Sequence, residues 1–336
     1  MSARPLLLGC VALAGCGGAR NQSALAPEGP VAGEVASLWW FALAVATAVY
    51  LATVGALAWA AWRARRRAAR GEATDPARDH RRMTVAVSVG GALTVVILLG
   101  FFVRDLAAAR ALRIPVTRDH VKIRVTGHQW WWSIEYPHPD PSQRVTDANE
   151  LHVPTGIPVL VEVTSHDVIH SLWAPNLAGK KDLIPRYVDT LWFQVDRPGV
   201  YGAQCAEFCG HQHAKMALPV VAHAPRDYAG WLARARRPAA EPSDSMARRG
   251  REIFLSGPCA LCHAITGTPA GSRVGPELTH LASRRTLAAG TLPNGKGNLA
   301  AWILDPQRIK PGTAMPATAL PPADLEALLA YLGGLQ

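Results

Sequence analysis

The hydrophobic positions of the chain are grouped most densely near its start, in two nearly uncharged runs at 36–62 and 83–103. Each run is long enough to cross a bilayer as a helix, so the pattern predicts a transmembrane hairpin within residues 17–110. The alternative for each run is a buried core helix. Two such runs on either side of an arginine cluster favour the membrane interpretation.

The arginine cluster lies between the two apolar runs. Its members are Arg63, Arg65, Arg66, Arg67, Arg70, Arg78, Arg81 and Arg82. Short loops rich in Lys and Arg remain on the cytoplasmic side of a membrane. We therefore expect this loop in the cytoplasm and the regions that flank the hairpin on the outer face.

From residue 115 to 225 the pattern changes to short β-type runs separated by Pro and Gly. Three of these runs lie at 121–125, 159–163 and 191–195. Such spacing predicts an all-β sandwich or small barrel. Residues 226–245 are rich in Ala, Arg and Pro, which is typical of a linker with a short helix. Residues 246–336 have helical patterning at both ends, which predicts a small all-α domain.

Residues 1–16 have the pattern of an export signal. Arg4 precedes a short apolar run that ends in the sequence LAGC at Cys16, and this ending resembles the lipobox of bacterial lipoproteins. Processing there would leave Cys16 as a lipidated N-terminus. The alternative is a plain export signal with an incidental cysteine.

The composition has one unusual feature, a formal net charge of +10 at pH 7. Much of the excess comes from the arginine cluster, and no basic patch with interleaved aromatic residues remains outside it. We therefore expect no nucleic-acid partner. The hydrophobic content of 49% is ordinary for a globular protein and excludes little else.

A first group of potential metal ligands lies near the end of the β-type region. Its members are His170, Cys205, Glu207, Cys209, His213 and Met216. Two thiolates, two imidazoles and a thioether form a soft set that suits copper. A tight loop between strands can turn both sulfurs inward to bridge a pair of metals. The alternatives are a disulfide, which leaves the histidines unexplained, a zinc site, which gives no reason for Met216, and unrelated core residues.

A second group lies in the C-terminal region, where Cys259, Cys262 and His263 form a CxxCH pattern typical of c-type haem attachment. The alternatives for the pattern alone are a redox pair or half of a zinc site. Further along the chain, Met315 precedes a proline within a Pro/Gly-containing segment. A His/Met axial pair raises the potential of a haem and suits electron transfer.

Three segments closely resemble signature sequences of subunit II of bacterial cytochrome c oxidase, a haem-copper oxidase of the caa type. They are GHQWWWSIEY from Gly127, HDVIHSLWAP from His166 and YGAQCAEFCGHQHAKM from Tyr201. The resemblance covers about residues 30–225. Residues 246–336 resemble the cytochrome c domain that is fused to some of these subunits. The fold implied is a transmembrane hairpin, a cupredoxin-like Greek-key barrel and a small all-α domain.

The resemblance also implies roles for individual residues. The dinuclear CuA centre would take side chains of His170, Cys205, Cys209, His213 and Met216 and the backbone carbonyl of Glu207. The carboxylate of Glu207 would face a Mg or Mn ion at the junction with subunit I. Trp130 matches the tryptophan through which electrons enter, although an ordinary buried aromatic is its alternative. A covalent haem c would take Cys259, Cys262, His263 and Met315, with the carbonyl of Pro276 orienting His263.

The implied function is that of the subunit through which electrons enter a terminal respiratory oxidase. Electrons would pass from a cytochrome c donor through the haem and CuA to subunit I, where oxygen is reduced. The implied partners are the other oxidase subunits, the donor and membrane lipid, in the bacterial cytoplasmic membrane with both metal domains on the periplasmic face. The alternatives are the CuA subunit of a nitric oxide reductase and a membrane-anchored copper-binding module.

Three positions depart from the family pattern. The start of the second apolar run has no glutamate, which puts proton uptake through this subunit in doubt. Arg186 stands where the family usually has glycine, so the contact with subunit I there is expected to be rearranged. His166 replaces one member of the usual acidic pair, leaving Asp167. A tethered cytochrome needs less electrostatic steering, since tethering gives it a high effective concentration.

Overall fold

The structure of the protein is a computed structural model that describes residues 21–72, 75–114 and 119–336. The predicted signal peptide, with Cys16, lies outside these residues. The described chain has a helical hairpin, then a β-domain, then a helical C-terminal domain. This order confirms the fold class that the sequence predicts.

The hairpin consists of α1 (Pro30–Ala69) and α2 (Pro76–Ala111), both long and apolar enough to cross a membrane. The most apolar stretch of each helix is not buried by the rest of the chain. Asp75 caps α2, because its carboxylate accepts hydrogen bonds from the backbone of Ala77 and Arg78. The helices contact each other through Arg104, which donates to Glu34 at 3.1 Å.

The arginine cluster lies largely on the helices and less in a loop than the sequence predicts. α1 continues to Ala69, so Arg63–Arg67 form its last turns, and three further arginines lie in the first turns of α2. With a rise of about 1.5 Å per residue, both helices are longer than a hydrocarbon core of about 30 Å. The extra length is where the charged residues lie.

The β-domain is held at the opposite end of the hairpin from the arginines. Trp192 donates its indole N–H to the carbonyl of Leu112, just after α2, at 2.9 Å. Glu28, just before α1, accepts two hydrogen bonds from Arg197 at 2.8 and 2.7 Å. Both helices therefore join the β-domain on one side, as a hairpin requires.

The β-domain contains eleven strands within the described residues. In chain order they are β1 (Val121–His128), β2 (Trp131–Tyr136), β3 (Val145–Ala148), β4 (Leu151–Pro154), β5 (Val159–Ser165), β6 (His170–Trp173), β7 (Lys181–Leu183), β8 (Asp189–Phe193), β9 (Gly199–Tyr201), β10 (Gln204–Cys205) and β11 (Val220–His223). The predicted run at 191–195 thus corresponds to a strand that begins two residues earlier.

These strands form one five-stranded sheet and two three-stranded sheets. Their orders are β3-β2-β1-β5-β8, β4-β11-β9 and β10-β6-β7. The pairs β1·β5 and β4·β11 are parallel, and the other pairs are antiparallel. Alternate residues of β5, namely Val159, Val161 and Val163, are fully buried, so one face of the central sheet forms the core. The arrangement is a cupredoxin-like β-sandwich.

The predicted linker at 226–245 begins with α3 (Pro225–Ala235), which packs against the β-domain. Trp231 stacks on His152 with ring centroids 4.3 Å apart and meets Tyr136 edge-on at 5.1 Å. The first half of this stretch is therefore a short helix that is docked on the β-domain.

The C-terminal domain contains α4 (Ser245–Ser256), α5 (Cys259–Cys262), α6 (Lys296–Leu304), α7 (Pro306–Ile309) and α8 (Pro322–Gly333), with a short hairpin of β12 (Thr286–Leu287) and β13 (Leu292–Pro293). The helices α4 and α8 cross closely at Gly250, where an added Cβ would lie 1.9 Å from the carbonyl oxygen of Ala327. Phe254 and Tyr331 meet edge-on beside this crossing. The crossing supports one side of a cavity described below.

Candidate metal centre and haem cavity

The first candidate site forms where β10, the loop after it and β6 meet. Cys205 ends β10 and pairs with Leu172 of β6, so the start of β6 brings His170 beside it. The loop then returns Cys209, His213 and Met216 to the same place. Cys205, Cys209, Met216 and His170 are buried, and His213 is half-buried. All six ligands that the resemblance implies are therefore brought together.

The donor atoms form two similar halves around the sulfur pair. The Sγ atoms of Cys205 and Cys209 are 3.7 Å apart, well beyond the S–S bond length of about 2.05 Å, so the two cysteines form no disulfide. Each sulfur faces one imidazole Nδ1, at 3.8 Å for His170 and 3.7 Å for His213. Each half therefore has two sulfurs and one nitrogen within reach of a metal.

A weaker ligand lies beside each half. The Sδ atom of Met216 is 3.9 Å from the Cys209 sulfur, and the carbonyl oxygen of Glu207 is 3.2 Å from the Cys205 sulfur. A single tetrahedral zinc would use only four of these donors. A pair of metal ions would use all six donors. The donor set therefore fits a pair of copper ions.

Asp167 fixes the imidazole of His170. Its carboxylate accepts from the Nε2 atom of His170 at 2.8 Å, which turns the Nδ1 atom of the ring toward the Cys205 sulfur. The same carboxylate accepts from the backbone N–H of Gln129 at 2.7 Å. Burial alone would raise the pKa of Asp167, but these hydrogen bonds outweigh it and lower the pKa to about 2. Asp167 is therefore an anion that orients a ligand.

The contact between the two cysteine sulfurs shifts their pKa values in opposite directions. Hydrogen bonds from Cys209 and His170 lower the pKa of the Cys205 thiol to about 3. The contact with Cys205, together with burial, raises the pKa of Cys209. One thiolate is therefore ready to bind a metal, and binding would displace the remaining proton.

The carboxylate of Glu207 forms an ion pair at the surface of the domain. It lies 3.4 Å from the ammonium of Lys180, which is 3.7 Å from Asp182. These side chains are partly exposed, so the carboxylate is accessible on the surface of the domain. Its predicted role toward a Mg or Mn ion stays a prediction.

Trp130 lies directly against the loop that carries the sulfurs. Its indole N–H donates to the carbonyl of Cys209 at 2.9 Å, and the side chain of Gln129 donates to the same oxygen at 2.8 Å. The loop passes close to the ring at Gly210, where an added Cβ would lie 3.0 Å from it. This residue has a φ of +114°, which L side chains rarely adopt, so glycine is required there.

The Trp130 ring is covered by other parts of the chain. Only 7% of the residue is exposed. The C-terminal domain provides the cover, since an added Cβ on Gly312 would lie 3.4 Å from the far edge of the indole. The ring is therefore enclosed between the sulfur loop and the C-terminal domain.

The second candidate site is a large, mainly apolar cavity in the C-terminal domain. All five residues predicted for the haem line it: Cys259, Cys262, His263, Pro276 and Met315. The two cysteines lie three residues apart on the single turn α5, so their side chains share one face. Gln129, Trp130 and Trp131 of the β-domain also line the cavity. The two domains thus share its wall.

His263 is oriented in the cavity by a backbone carbonyl. Its Nδ1 atom donates to the oxygen of Pro276 at 2.7 Å, which leaves the lone pair on Nε2. Burial lowers the pKa of His263, so the neutral form is favoured. Gly275 packs on the ring, and an added Cβ there would lie 2.7 Å from its Cε1 atom. The imidazole is therefore held as a metal ligand would need.

Polar side chains also form part of the cavity lining. They include Arg284, Thr286 and Lys310, and the Thr286 hydroxyl is buried without a hydrogen-bond partner among the described residues. A mainly apolar cavity with two attachment cysteines and an oriented imidazole fits a haem, whose ring is apolar. The residues present therefore fit the predicted cofactor.

The two domains meet through several polar contacts around these sites. Arg284 forms a largely buried ion pair with Asp147 at 2.8 Å. The backbone N–H of Ala217, next to Met216, donates to the carbonyl of Ala289 at 3.0 Å. Gln212 donates to the carbonyl of Pro311 at 2.7 Å. The sulfur loop itself is thus part of the domain interface.

Sequence reasoning missed three residues that the structure connects to the sites. They are Gln129, Asp167 and Lys310. Asp167 lies three residues before His170, and this spacing could have suggested a carboxylate that orients the imidazole. The other two act across the fold, and no local pattern marks them.

Two family models match the chain. The model described as cytochrome c oxidase subunit II, periplasmic domain, matches residues 139–224, and the model described as cytochrome c matches residues 247–336. The two matches fall on the β-domain and the C-terminal domain respectively.

Curated relatives and a solved structure are similar to the chain. Cytochrome c oxidase subunit 2 of Alkalihalophilus pseudofirmus is 33% identical, and the match covers 99% of this chain and 96% of the relative. The protein of that name from Bacillus sp. PS3 is 32% identical over 65% of this chain and 63% of its own length. The periplasmic domain of subunit II of cytochrome oxidase from Bradyrhizobium japonicum is 29% identical, with 36% of this chain and 97% of that one covered and a TM-score of 0.34.

Proposed function

The chain belongs to the cytochrome c oxidase subunit II family, and from this premise we propose that it is the subunit through which electrons enter a terminal respiratory oxidase. Members of the family form part of a haem-copper oxidase complex. In the proposed route, electrons pass from a cytochrome c donor through a covalent haem c and a dinuclear CuA centre to subunit I, where oxygen is reduced. The chain contributes electron transfer, and oxygen reduction belongs to the complex.

The position of Trp130 carries this proposal. Its indole N–H donates to the carbonyl of Cys209 at 2.9 Å, and its ring lines the cavity that holds the CxxCH cysteines. One side chain therefore contacts both candidate sites. A bridging aromatic ring between two redox centres shortens the path that an electron must tunnel.

The residue roles in the proposal are those that the family resemblance implies, and the positions of the donor atoms support them. His170, Cys205, Cys209, His213, Met216 and the Glu207 carbonyl would hold the copper pair. Cys259 and Cys262 would attach the haem, with His263 and Met315 as axial ligands and the Pro276 carbonyl orienting His263. When bound, the two groups supply reversible one-electron oxidation and reduction.

The chain holds its donor atoms close together. The donors around the sulfur pair lie 3.2 to 3.9 Å from their neighbours in the cluster. Asp167 orients His170, and the carbonyl of Pro276 orients His263. Ligands fixed by such outer contacts move little when the charge of a site changes. A site of this kind favours fast electron transfer.

The carboxylate of Glu207 is proposed to face a Mg or Mn ion at the junction with subunit I. A carboxylate is a suitable hard ligand for either ion. Within this chain it pairs with Lys180 at 3.4 Å. Binding of the ion would therefore require Lys180 to move away, because the ammonium and the cation repel each other.

We propose that the hairpin spans the bacterial cytoplasmic membrane with the metal-binding domains on the periplasmic face. The arginine-rich ends of α1 and α2 lie opposite the β-domain, as the positive-inside rule requires for that orientation. Exposed apolar side chains along both helices would face lipid or other oxidase subunits. A periplasmic cytochrome c could then reach the C-terminal domain.

Purification of the intact complex tests the proposal. We expect one covalent haem c and two coppers in this chain, a mixed-valence copper signal in electron paramagnetic resonance, and oxygen consumption driven by reduced cytochrome c. A complex that reduces nitric oxide and not oxygen would instead support the nitric oxide reductase alternative. A chain that purifies with copper but without a subunit I would support the copper-binding module.

A further inference from the structure

Lys310 is a buried lysine at the boundary between the two domains. Only 2% of the residue is exposed. Its ammonium donates to the carbonyl of Trp130 in the β-domain at 2.7 Å and to the carbonyl of Ala288 in the C-terminal domain at 3.0 Å. One side chain thus ties together two backbone segments that are far apart in the sequence.

Burial of this charge is costly, so the position needs a physical reason. No Asp or Glu in the described part of the chain forms an ion pair with Lys310. Burial, together with the nearby charge of Lys215, lowers the pKa of Lys310 to about 7. A lysine placed only to fill space would be better replaced by an apolar residue of similar size. The reason for a lysine at this position is therefore the pair of hydrogen bonds that its N–H groups donate.

The two carbonyls belong to segments that border the redox sites. Trp130 contacts the sulfur loop, and Ala288 precedes Ala289, whose carbonyl accepts from Ala217 beside Met216. Lys310 also begins the segment that brings Gly312 against the indole and continues to Met315. Displacement of Lys310 would therefore change the position of the Trp130 ring relative to the cavity.

We propose that Lys310 is a positioning residue, which fixes Trp130 against the cavity of the C-terminal domain and thereby sets the rate of electron transfer between the two domains. The inference rests on the function proposed above. Lys310 acts through the backbone of Trp130 and does not itself bind a metal.

The chain offers a matched control in Lys215. This lysine also donates across the interface, to the carbonyl of Ile309 at 2.7 Å, but its side chain is exposed. A hydrogen bond in water contributes less to position than one that is buried. Comparison of the two lysines therefore distinguishes the effect of a buried hydrogen bond across the interface from the effect of losing any hydrogen bond there.

The test uses the intact complex with Lys310→Met, Lys310→Gln and Lys215→Met. Electrons are delivered to the haem by flash photoreduction, and the first-order rate of arrival at copper is followed optically. Haem and copper content, the reduced haem spectrum, the copper resonance signal and both reduction potentials are measured in each variant. Rates are compared at the measured potentials, so a change in driving force is not mistaken for a change in position.

We expect Lys310→Met to retain both cofactors and to slow the transfer by about tenfold or more, because small misplacements of reacting groups have large effects on rate. Lys310→Gln keeps N–H donors and should give an intermediate rate. Lys215→Met should slow the transfer by less than about twofold, since an exposed contact contributes little.

Two results would overturn the proposal. One is a Lys310→Met rate as close to the wild-type rate as that of Lys215→Met. The other is loss of haem or copper from both Lys310 variants, which would assign the lysine to folding of the domain. An absence of transfer from haem to copper in the unaltered complex would instead reject the proposed function, whatever the variants do.

Discussion

The copper site and the haem cavity are built in different ways. The proposed copper donors come from one loop and the start of one strand, and they lie in contact with one another. The haem residues are spread over the C-terminal domain around an open cavity, and Trp130 and Trp131 of the other domain complete its wall. All donors of the copper site therefore come from the β-domain, whereas the wall of the haem cavity is complete only when the two domains are docked.

The difference determines what each region can tolerate. A closed cluster of ligands fails when a single donor is removed, because no neighbouring group can replace it. A cavity shared by two domains can keep its cofactor by covalent attachment while the docking geometry changes. Changes at the boundary should therefore alter electron transfer between the sites more than they alter the sites themselves.

The largest effect is expected from Cys209→Ala. This sulfur faces the other sulfur, His213 and Met216 at 3.7, 3.7 and 3.9 Å, so its removal should abolish binding of the copper pair. Haem should remain, since its attachment cysteines lie in the other domain. Metal analysis measures the copper content, and the absorption spectrum of the denatured protein measures the covalently bound haem.

The reciprocal control is Cys259→Ala, in the C-terminal domain. It should weaken covalent attachment of the haem and leave the copper content unchanged. Loss of copper in this control, or retention of two coppers in Cys209→Ala, would contradict the separation of the two sites.

The next effect concerns Trp130→Ala, which removes the ring that contacts both sites. We expect electron transfer from haem to copper to slow by about tenfold or more, in line with other losses of positioning. Copper content and the copper spectrum should be retained. Truncation of a buried tryptophan can itself cost about 3 to 5 kcal/mol, so the free energy of unfolding must be measured beside the rate.

Trp231→Ala provides the comparison for that truncation. Trp231 packs on Tyr136 and His152, away from the sulfur loop, so it should lower stability without slowing the transfer. A wild-type rate in Trp130→Ala would mean that electrons take another route. Loss of copper in that variant would make Trp130 an ordinary core residue.

The smallest effect is expected from Asp147→Asn, at the edge of the interface. Asn keeps an acceptor for Arg284, and Glu277 lies 3.9 Å from the same guanidinium, so the interface should weaken by only about 1 to 2 kcal/mol. Hydrogen exchange of the Ala217 amide, which donates across the interface, should become faster. Unchanged exchange at Ala217 would show that this ion pair does not hold the domains together.

The sequence predicts much of the copper site because its ligands are local. Cys205, Cys209, His213 and Met216 lie within one loop, and a loop of this length can direct its side chains to one point. The domain interface is different, since Lys310 contacts Trp130 across 180 residues and Arg284 contacts Asp147 across 137. No periodicity records which surfaces of two folded domains meet. The sequence therefore could not predict that the C-terminal domain covers Trp130.

The turn at Arg186 shows a second limit of sequence comparison. The family usually has glycine there, and Arg186 has a φ of +63°, in the left-handed region that glycine adopts freely. The chain thus keeps the left-handed backbone although the residue differs. The ends of α1 and α2 show a third limit. The apolar pattern locates both helices, but it does not show that the helices continue into the arginine cluster.

In the structure the C-terminal domain is docked on the Trp130 surface, and we expect it to stay docked there and not to swing on a tether. The most direct test is the rate of electron transfer from haem to copper in the intact complex, measured at increasing viscosity and salt concentration. A docked domain has no diffusive step to slow and no exposed charge pairing to screen, so the rate should stay constant. A rate that falls as viscosity or salt increases would contradict the account, because it would mean that the domain must travel to Trp130 before each transfer.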